Sequence, residues 1–160
     1  MDSLDNRRPL TEEVACFWAA ACAHAGIDPT TPYQVWYFGS GEPMATRLAL
    51  LVRDGPKRAT AALHAGVRAL PETGAVLGGY SVVTGFEGEP VVVIRTTRVD
   101  VMPFEDVDAD FAWTEGEGDR TLEDWRAGHW RFFEAECREL GIERSLRMDI
   151  VCERFEKVWP

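Results

Sequence analysis

Positive charge is scarce in this chain, and lysine is scarcer still. Of the 17 basic residues only Lys57 and Lys157 are lysines, they face 27 acidic residues, and the formal net charge is −10. A protein that grips long nucleic acid by neutralising phosphates along a broad face needs a basic surface. That mode is excluded, whereas a small substrate or a local basic cleft is not. Cysteine is also sparse: Cys16, Cys22, Cys137 and Cys152 show no Cys-x-x-Cys spacing and sit among apolar neighbours, so they read as reduced core thiols, with neither disulfides nor zinc. No apolar run approaches the roughly 20 residues of a membrane span. Residues 1–10 contain Arg7 and Arg8 but no apolar stretch of a signal peptide. The expectation is a cytoplasmic protein without membrane contact, monomer or homodimer. It has a flexible N-terminus over residues 1–10 and a single domain over 11–160, large enough to build its own core.

What is present divides into helices and short strands. Thr11 caps a helix with Glu12 and Glu13 in its first turn, running through Phe17, Trp18 and Cys22 to Gly26. Ser40 is placed to cap a second helix from about Pro43 to Asp54, and Gly55 suits the left-handed residue that ends it. Thr60–Leu63 reads as a short strand. Tyr80–Thr84 and Val91–Val99 read as a hairpin around Gly88 and Pro90. Phe104–Ala112 suits a short helix, and the Glu115–Asp119 stretch with its two glycines reads as a loop. Thr121-Leu122-Glu123-Asp124 has the form of a capping box, opening a long helix through Trp125, His129 and Phe133 to Gly141. Met148–Val158 supplies a last strand. Short strands interrupted by helices, without strict alternation, indicate an α+β fold built on a small mixed barrel with peripheral helices.

One corner stands out. Pro56 forbids the second helix from continuing, so Lys57 and Thr60 leave a tight turn close together. Lysine is a compact charge whose protonation responds to burial, which arginine's does not. A lysine placed here, in a chain that otherwise uses arginine, invites a chemical reading.

Four motifs occur in order: Trp36-Tyr37-Phe38-Gly39, Gly55-x-Lys57-x-x-Thr60, Phe111-Ala112-x-x-Glu115-Gly116-Glu117-Gly118-Asp119, and Trp125-x-x-x-His129-x-x-Phe132-Phe133. On these residues, which span most of the chain from Val35 to Val158, the protein resembles the ASCH domain family, and within it the branch with the Glu-Gly-Glu-Gly-Asp loop. The resemblance implies a PUA-like β-barrel, to which this chain adds the Thr11–Ala25 helix. It also implies RNA or a modified nucleoside as partner. Some members of the family look like amidohydrolases that remove the acetyl group from N4-acetylcytidine. Another is described as a metal-dependent ribonuclease, and others are non-catalytic RNA-binding modules.

Carried over residue by residue, the deacetylating members imply Lys57, Thr60 and Glu115 as the catalytic set, with Glu117 a competitor for Glu115 because the acidic loop is longer than theirs. Amide hydrolysis needs a nucleophile, a proton acceptor and an oxyanion stabiliser, and these three can fill the roles. Lys57 and Glu115 can equally form an ion pair across the barrel mouth. Trp36, Arg58, Glu117, Trp125, Arg126 and His129 are the candidate substrate-binding residues, with Trp113 a further aromatic able to stack a base. No cofactor is expected in the amidohydrolase reading. In the ribonuclease reading Glu115, Glu117 and Asp119 offer oxygen ligands to magnesium or manganese.

Overall fold

The structure, a computed structural model, describes residues 4–160. Ten regular elements follow in order: α1 (Glu12–Ala25), β1 (Tyr33–Tyr37), α2 (Met44–Asp54), β2 (Ala59–Leu63), α3 (His64–Ala69), β3 (Tyr80–Thr84), β4 (Pro90–Pro103), α4 (Ala109–Glu115), α5 (Leu122–Leu140) and β5 (Asp149–Trp159). Short 3-10 turns at Pro71–Thr73 and Phe104–Asp106 complete the chain. The fold is α+β, as expected. A single sheet in the order β1-β3-β4-β5-β2 curls into a half-barrel carrying the helices, with β1 parallel to β3 and every other pair antiparallel. Among the described residues no helix is long and apolar enough to cross a membrane.

The cap signals act as the sequence implies. Thr11 Oγ1 accepts the Val14 N–H at 3.2 Å, Thr121 Oγ1 accepts the Asp124 N–H at 3.1 Å, and the left-handed Gly26 and Gly141 end α1 and α5. The β3–β4 hairpin forms too. Its run Val91-Val92-Val93-Ile94 is continuous rather than alternating because the sheet is covered on both faces there. Val82 and its partner Val93 pack on Val14 and Trp18 of α1, while Val83, Val92 and Ile94 pack on Leu48, Ala49 and Val52 of α2. A third cluster joins α4 and α5 to β2 and β5 through Phe111, Trp125, Phe133, Ala59 and Ile150.

Several local expectations differ from what is found. Ser40 does not cap α2, which starts after Pro43 without a side-chain cap. Gly55 is extended (φ −130°) rather than left-handed. Glycine is needed there for space, since a Cβ would lie 2.9 Å from the Leu51 carbonyl oxygen. The helix after β2 was not foreseen, because its six residues from His64 carry no cap or apolar period. Glu115 is not a loop residue but the last residue of α4, with Gly116 (φ +73°) ending the helix. Residues 4–8 also depart from a frayed tail. Met1–Ser3 lie outside the described residues, but Leu4 is buried, Arg7 bridges to Trp36, and the Arg8 N–H donates to the Val35 carbonyl at 2.9 Å.

The packing of α4 on the α2–β2 corner sets the chemistry of the molecule. The Arg58 N–H donates to the Thr114 carbonyl at 2.9 Å, and a Cβ on Gly116 would lie 2.8 Å from the Lys57 nitrogen and 2.9 Å from its Cα. Gly116→Ala combines this collision with a strained left-handed φ and is expected to cost at least about 2 kcal/mol. A Cβ at Gly128, inside α5, would have open space around it, so Gly128→Ala is expected to stabilise by roughly 0.5–1 kcal/mol. Urea unfolding of the two variants beside the wild type checks both signs.

Candidate functional site

The α2–β2 corner delivers Lys57 into the protein rather than out of it. Its side chain is 0% exposed, and Nζ donates to the Ala59 carbonyl at 2.8 Å and to Glu117 Oε1 at 2.6 Å, with Glu115 Oε1 at 3.7 Å. The Phe38 ring lies beneath the charge, its centroid 5.0 Å from Nζ. Glu115, at the end of α4, is equally enclosed: Trp125 Nε1 donates to Oε2, and His129 Nε2 lies 3.1 Å from Oε1. The other nitrogen of His129, Nδ1, faces the Trp125 carbonyl at 2.9 Å. A carboxylate and a carbonyl can only accept, so the imidazolium is the form in which both contacts are hydrogen bonds. Formal charges then balance, Lys57 and His129 against Glu115 and Glu117.

The electrostatics follow from this enclosure. Burial pushes Glu115 upward, but the charges of His129 and Lys57 and the hydrogen bonds from His129 and Trp125 outweigh it, bringing the carboxyl down to about 2. For His129 burial works against protonation, and the charge and hydrogen bond of Glu115 overcome it, so its pKa is raised. Trp125 is the brace of the arrangement, stacked on His129 at 4.1 Å between centroids and 15° between planes.

A cleft of about 640 Å³ opens over this network between α2, β2 and α5. Glu115, Glu117 and His129 reach its surface, Thr60 and Ala61 of β2 line it, and Arg47 and Arg131 stand on α2 and α5. Lys57 is not part of the lining; Glu117, with a side chain 29% exposed, stands between it and the cleft. The half-buried Thr60 has no hydrogen-bond partner for its hydroxyl among the described residues, which leaves that hydroxyl available to a ligand. A smaller hollow of about 110 Å³ adjoins the cleft through Phe38, Thr60 and Phe132, and is lined also by Trp36, Glu136 and Glu153.

The structure thus brings together Lys57, Thr60, Glu115, Glu117, Trp125 and His129 and separates the others. Trp36 serves the smaller hollow, edge-on to Phe38 at 4.8 Å. Arg58 turns back onto the end of α2, its Nη1 donating to the carbonyls of Lys57 at 2.6 Å and Val52 at 3.0 Å. Arg126 donates to the Glu105 carbonyl at 3.0 Å, away from the cleft, and Trp113 is a surface ring covered by Arg120. The face of Trp125 is occupied by His129, so it cannot also stack a base on that side. Asp119 accepts from both the N–H and the hydroxyl of Thr121, and among the described residues no three or more His, Cys, Asp and Glu assemble into a group able to hold a metal. Glu115, Glu117 and Asp119 therefore do not fit magnesium or manganese as a ligand set.

Three residues were missed from the sequence, Arg47 in the cleft and Glu136 and Glu153 in the adjoining hollow. Arg47 gave no signal in a chain rich in arginine. Glu136 lies one helical turn after Phe132 on the apolar side of α5, and burial pushes its carboxyl up to about 7. Glu153, opposite Thr60 in the β2–β5 pairing, interrupts the apolar start of β5; burial raises it too, against a 2.6 Å hydrogen bond from Thr96. An acid at an apolar period position was the available clue in both cases.

The ASCH domain family model matches residues 34–159. The crystal structure of an ASCH domain from Lactobacillus crispatus JV V101 superposes with a TM-score of 0.85 at 32% identity, over 96% of this chain and 98% of that one. The crystal structure of a DUF984 family protein from Enterococcus faecalis V583 gives a TM-score of 0.81 at 32% identity, over 94% of this chain and 90% of that one. No curated protein matches the chain. The match to the family model and the near-complete overlap with these structures agree with the half-barrel: the chain belongs to the ASCH domain family, a family associated with RNA binding.

Proposed function

We propose that the protein is an amidohydrolase of N4-acylated cytidine, with the acylated base held in the 640 Å³ cleft. The observation that carries this reading is a fully buried lysine between two carboxylates, directly behind a cleft lined by an uncommitted threonine hydroxyl. Burying charge costs several kcal/mol per ion before pairing recovers it, on the order of what a whole domain has to spare. Such groups concentrate where chemistry is done. A module that only gripped phosphate would instead place its lysine in solvent.

Burial divides the roles. Glu115 is spent on Trp125, His129 and Lys57, so it positions rather than reacts. Glu117 is the carboxylate that meets the substrate: Lys57 anchors its Oε1, and the side chain lines the cleft. Thr60 Oγ attacks the acyl carbon while its proton passes to Glu117; the bond from that carbon to N4 breaks, and the proton passes on to the departing amine. Water then repeats the step, releasing the carboxylic acid and restoring Thr60. The positive charge of Lys57, shielded from water, favours the oxyanion formed on the way.

Turnover of N4-acetylcytidine, followed with and without chelator, tests this assignment. Glu117→Gln keeps an acceptor for Lys57 but not its counter-charge, and is expected to lose about 10²–10⁴-fold in turnover together with some stability. Thr60→Val keeps the β-branch and the strand but loses the hydroxyl, and turnover is expected to vanish. Lys57→Arg is expected to lose turnover and stability together, since the longer planar group does not fit an enclosed site. Chelator is expected to change nothing. Absence of turnover by the wild type on any N4-acylated cytidine would overturn the reading in favour of an RNA-binding module without catalysis.

The Glu115–His129 pair gives a prediction in pH. The Glu115 carboxyl is lowered from 4.5 to about 2, so its contribution to stability is present above 4.5 and is lost as pH falls toward 2. His129 is raised from 6.5, so its contribution is full below 6.5 and is lost as pH rises through the folded-state value. The stability advantage of wild type over Glu115→Gln is therefore greatest between about pH 4.5 and 6.5. Urea unfolding from roughly pH 3, inside the acid limb, to roughly pH 9, beyond the ordinary histidine value, measures it; an advantage independent of pH would refute the pairing.

A further inference from the structure

Arginine is abundant in this chain, but unengaged arginine is not. Among the described residues every arginine side chain except those of Arg47, Arg68 and Arg131 is held by a carboxylate, a backbone carbonyl or an aromatic ring. Two of these three, Arg47 and Arg131, line the same cleft. They come from different elements, α2 and α5, and both are exposed. In a chain of net charge −10, with acidic partners plentiful, two unpaired guanidinium groups flanking one cleft need an explanation that the chain itself does not provide.

The surroundings of Arg131 keep it accessible. Asp124, Gly128, Arg131 and Ala135 succeed one another along the cleft face of α5, and no atom lies within 4 Å of a Cβ at Gly128. Gly128, one turn before Arg131, leaves space for the guanidinium to turn into the cleft. Arg47 stands between Met44 and Leu48, also lining residues, one turn of α2 giving it an apolar footing. The cleft thus carries Glu115 and Glu117 near β2 and Asp124 in the first turn of α5, with Arg47 and Arg131 further along the two helices. A carboxylate accepts from the exocyclic amine of a cytosine, whereas guanidinium binds phosphate oxygens in bidentate fashion.

We infer that Arg47 and Arg131 form a phosphate clamp, so that the ligand of the cleft is a phosphorylated cytidine rather than the free nucleoside. The inference takes the cytosine base from the function proposed above but does not depend on hydrolysis. The phosphate has two sources, the 5′-phosphate of a mononucleotide and the backbone of an RNA strand.

Binding experiments separate these without requiring turnover. Calorimetric titration of the wild type with cytidine, cytidine 5′-monophosphate, inorganic phosphate and a short single-stranded cytidine-containing RNA is compared with R47Q, R131Q and R68Q, the last an unpaired arginine outside the cleft. Thermal unfolding of each variant verifies that it is folded. The monophosphate or the RNA is expected to bind at least about tenfold more tightly than cytidine, a gain lost in R47Q and R131Q and kept in R68Q. A gain with the monophosphate identifies a nucleotide ligand; a gain with the RNA alone identifies the strand backbone. If neither phosphorylated ligand exceeds cytidine, or if R68Q loses as much as R47Q and R131Q, the clamp is refuted. Failure of the hydrolysis reading would appear separately, as absent turnover with the phosphate-dependent gain in affinity intact.

Discussion

The contact of Lys57 with Glu115 and Glu117 ties together parts of the chain that are about 60 residues apart in sequence, and the surrounding structure is arranged to make it possible. A lysine without solvent is tolerable only if every proton on Nζ has somewhere to go, so the turn that carries it must place the Ala59 carbonyl as well as the carboxylates. The turn is fixed from outside by α4 and from within by Arg58, which satisfies carbonyls at the end of α2 that the helix leaves open. Glu115 can bring its charge to the lysine only because Trp125 and His129 meet its remaining acceptor positions. Removal of any one of these groups leaves another buried and unpaired.

The lysine corner was legible because lysine is rare here and because proline announces the turn. The caps of α1 and α5 were legible because they are local, each written within four residues. What could not be read depends on contacts distant in sequence. Gly55 carries the signature of a left-handed helix end, yet it is demanded by the approach of Leu51; both conditions produce the same letter. Arg58 and Arg126 look like substrate ligands in a string of letters, and only the folded chain shows their donors taken by carbonyls. Glu115 and Glu117, two positions apart, differ in burial because one ends a helix and the other follows a left-handed glycine. Helical backbone directs the first inward, and the turn leaves the second half in solvent.

Acidity and function are less opposed than the composition suggests. Most arginines are neutralised locally, so the negative total describes the outer surface and says little about the cleft. Within the cleft the balance is nearly even. Glu136 and Glu153 add acids in the adjoining hollow, where burial opposes their ionisation.

Residues 6–8 run beside β1, the outermost strand, and close its hydrogen-bonding side through Asn6, Arg7 and Arg8. An uncovered edge strand is a template on which another chain can add a strand of its own, the first step toward aggregation. The same short segment contributes Leu4 and Asn6 to the wall of the smaller hollow. Residues 4–8, part of what reads as a dispensable tail, thus serve as a guard strand. Trimming them to obtain a tidier domain would uncover the edge of β1 and make the protein adhesive.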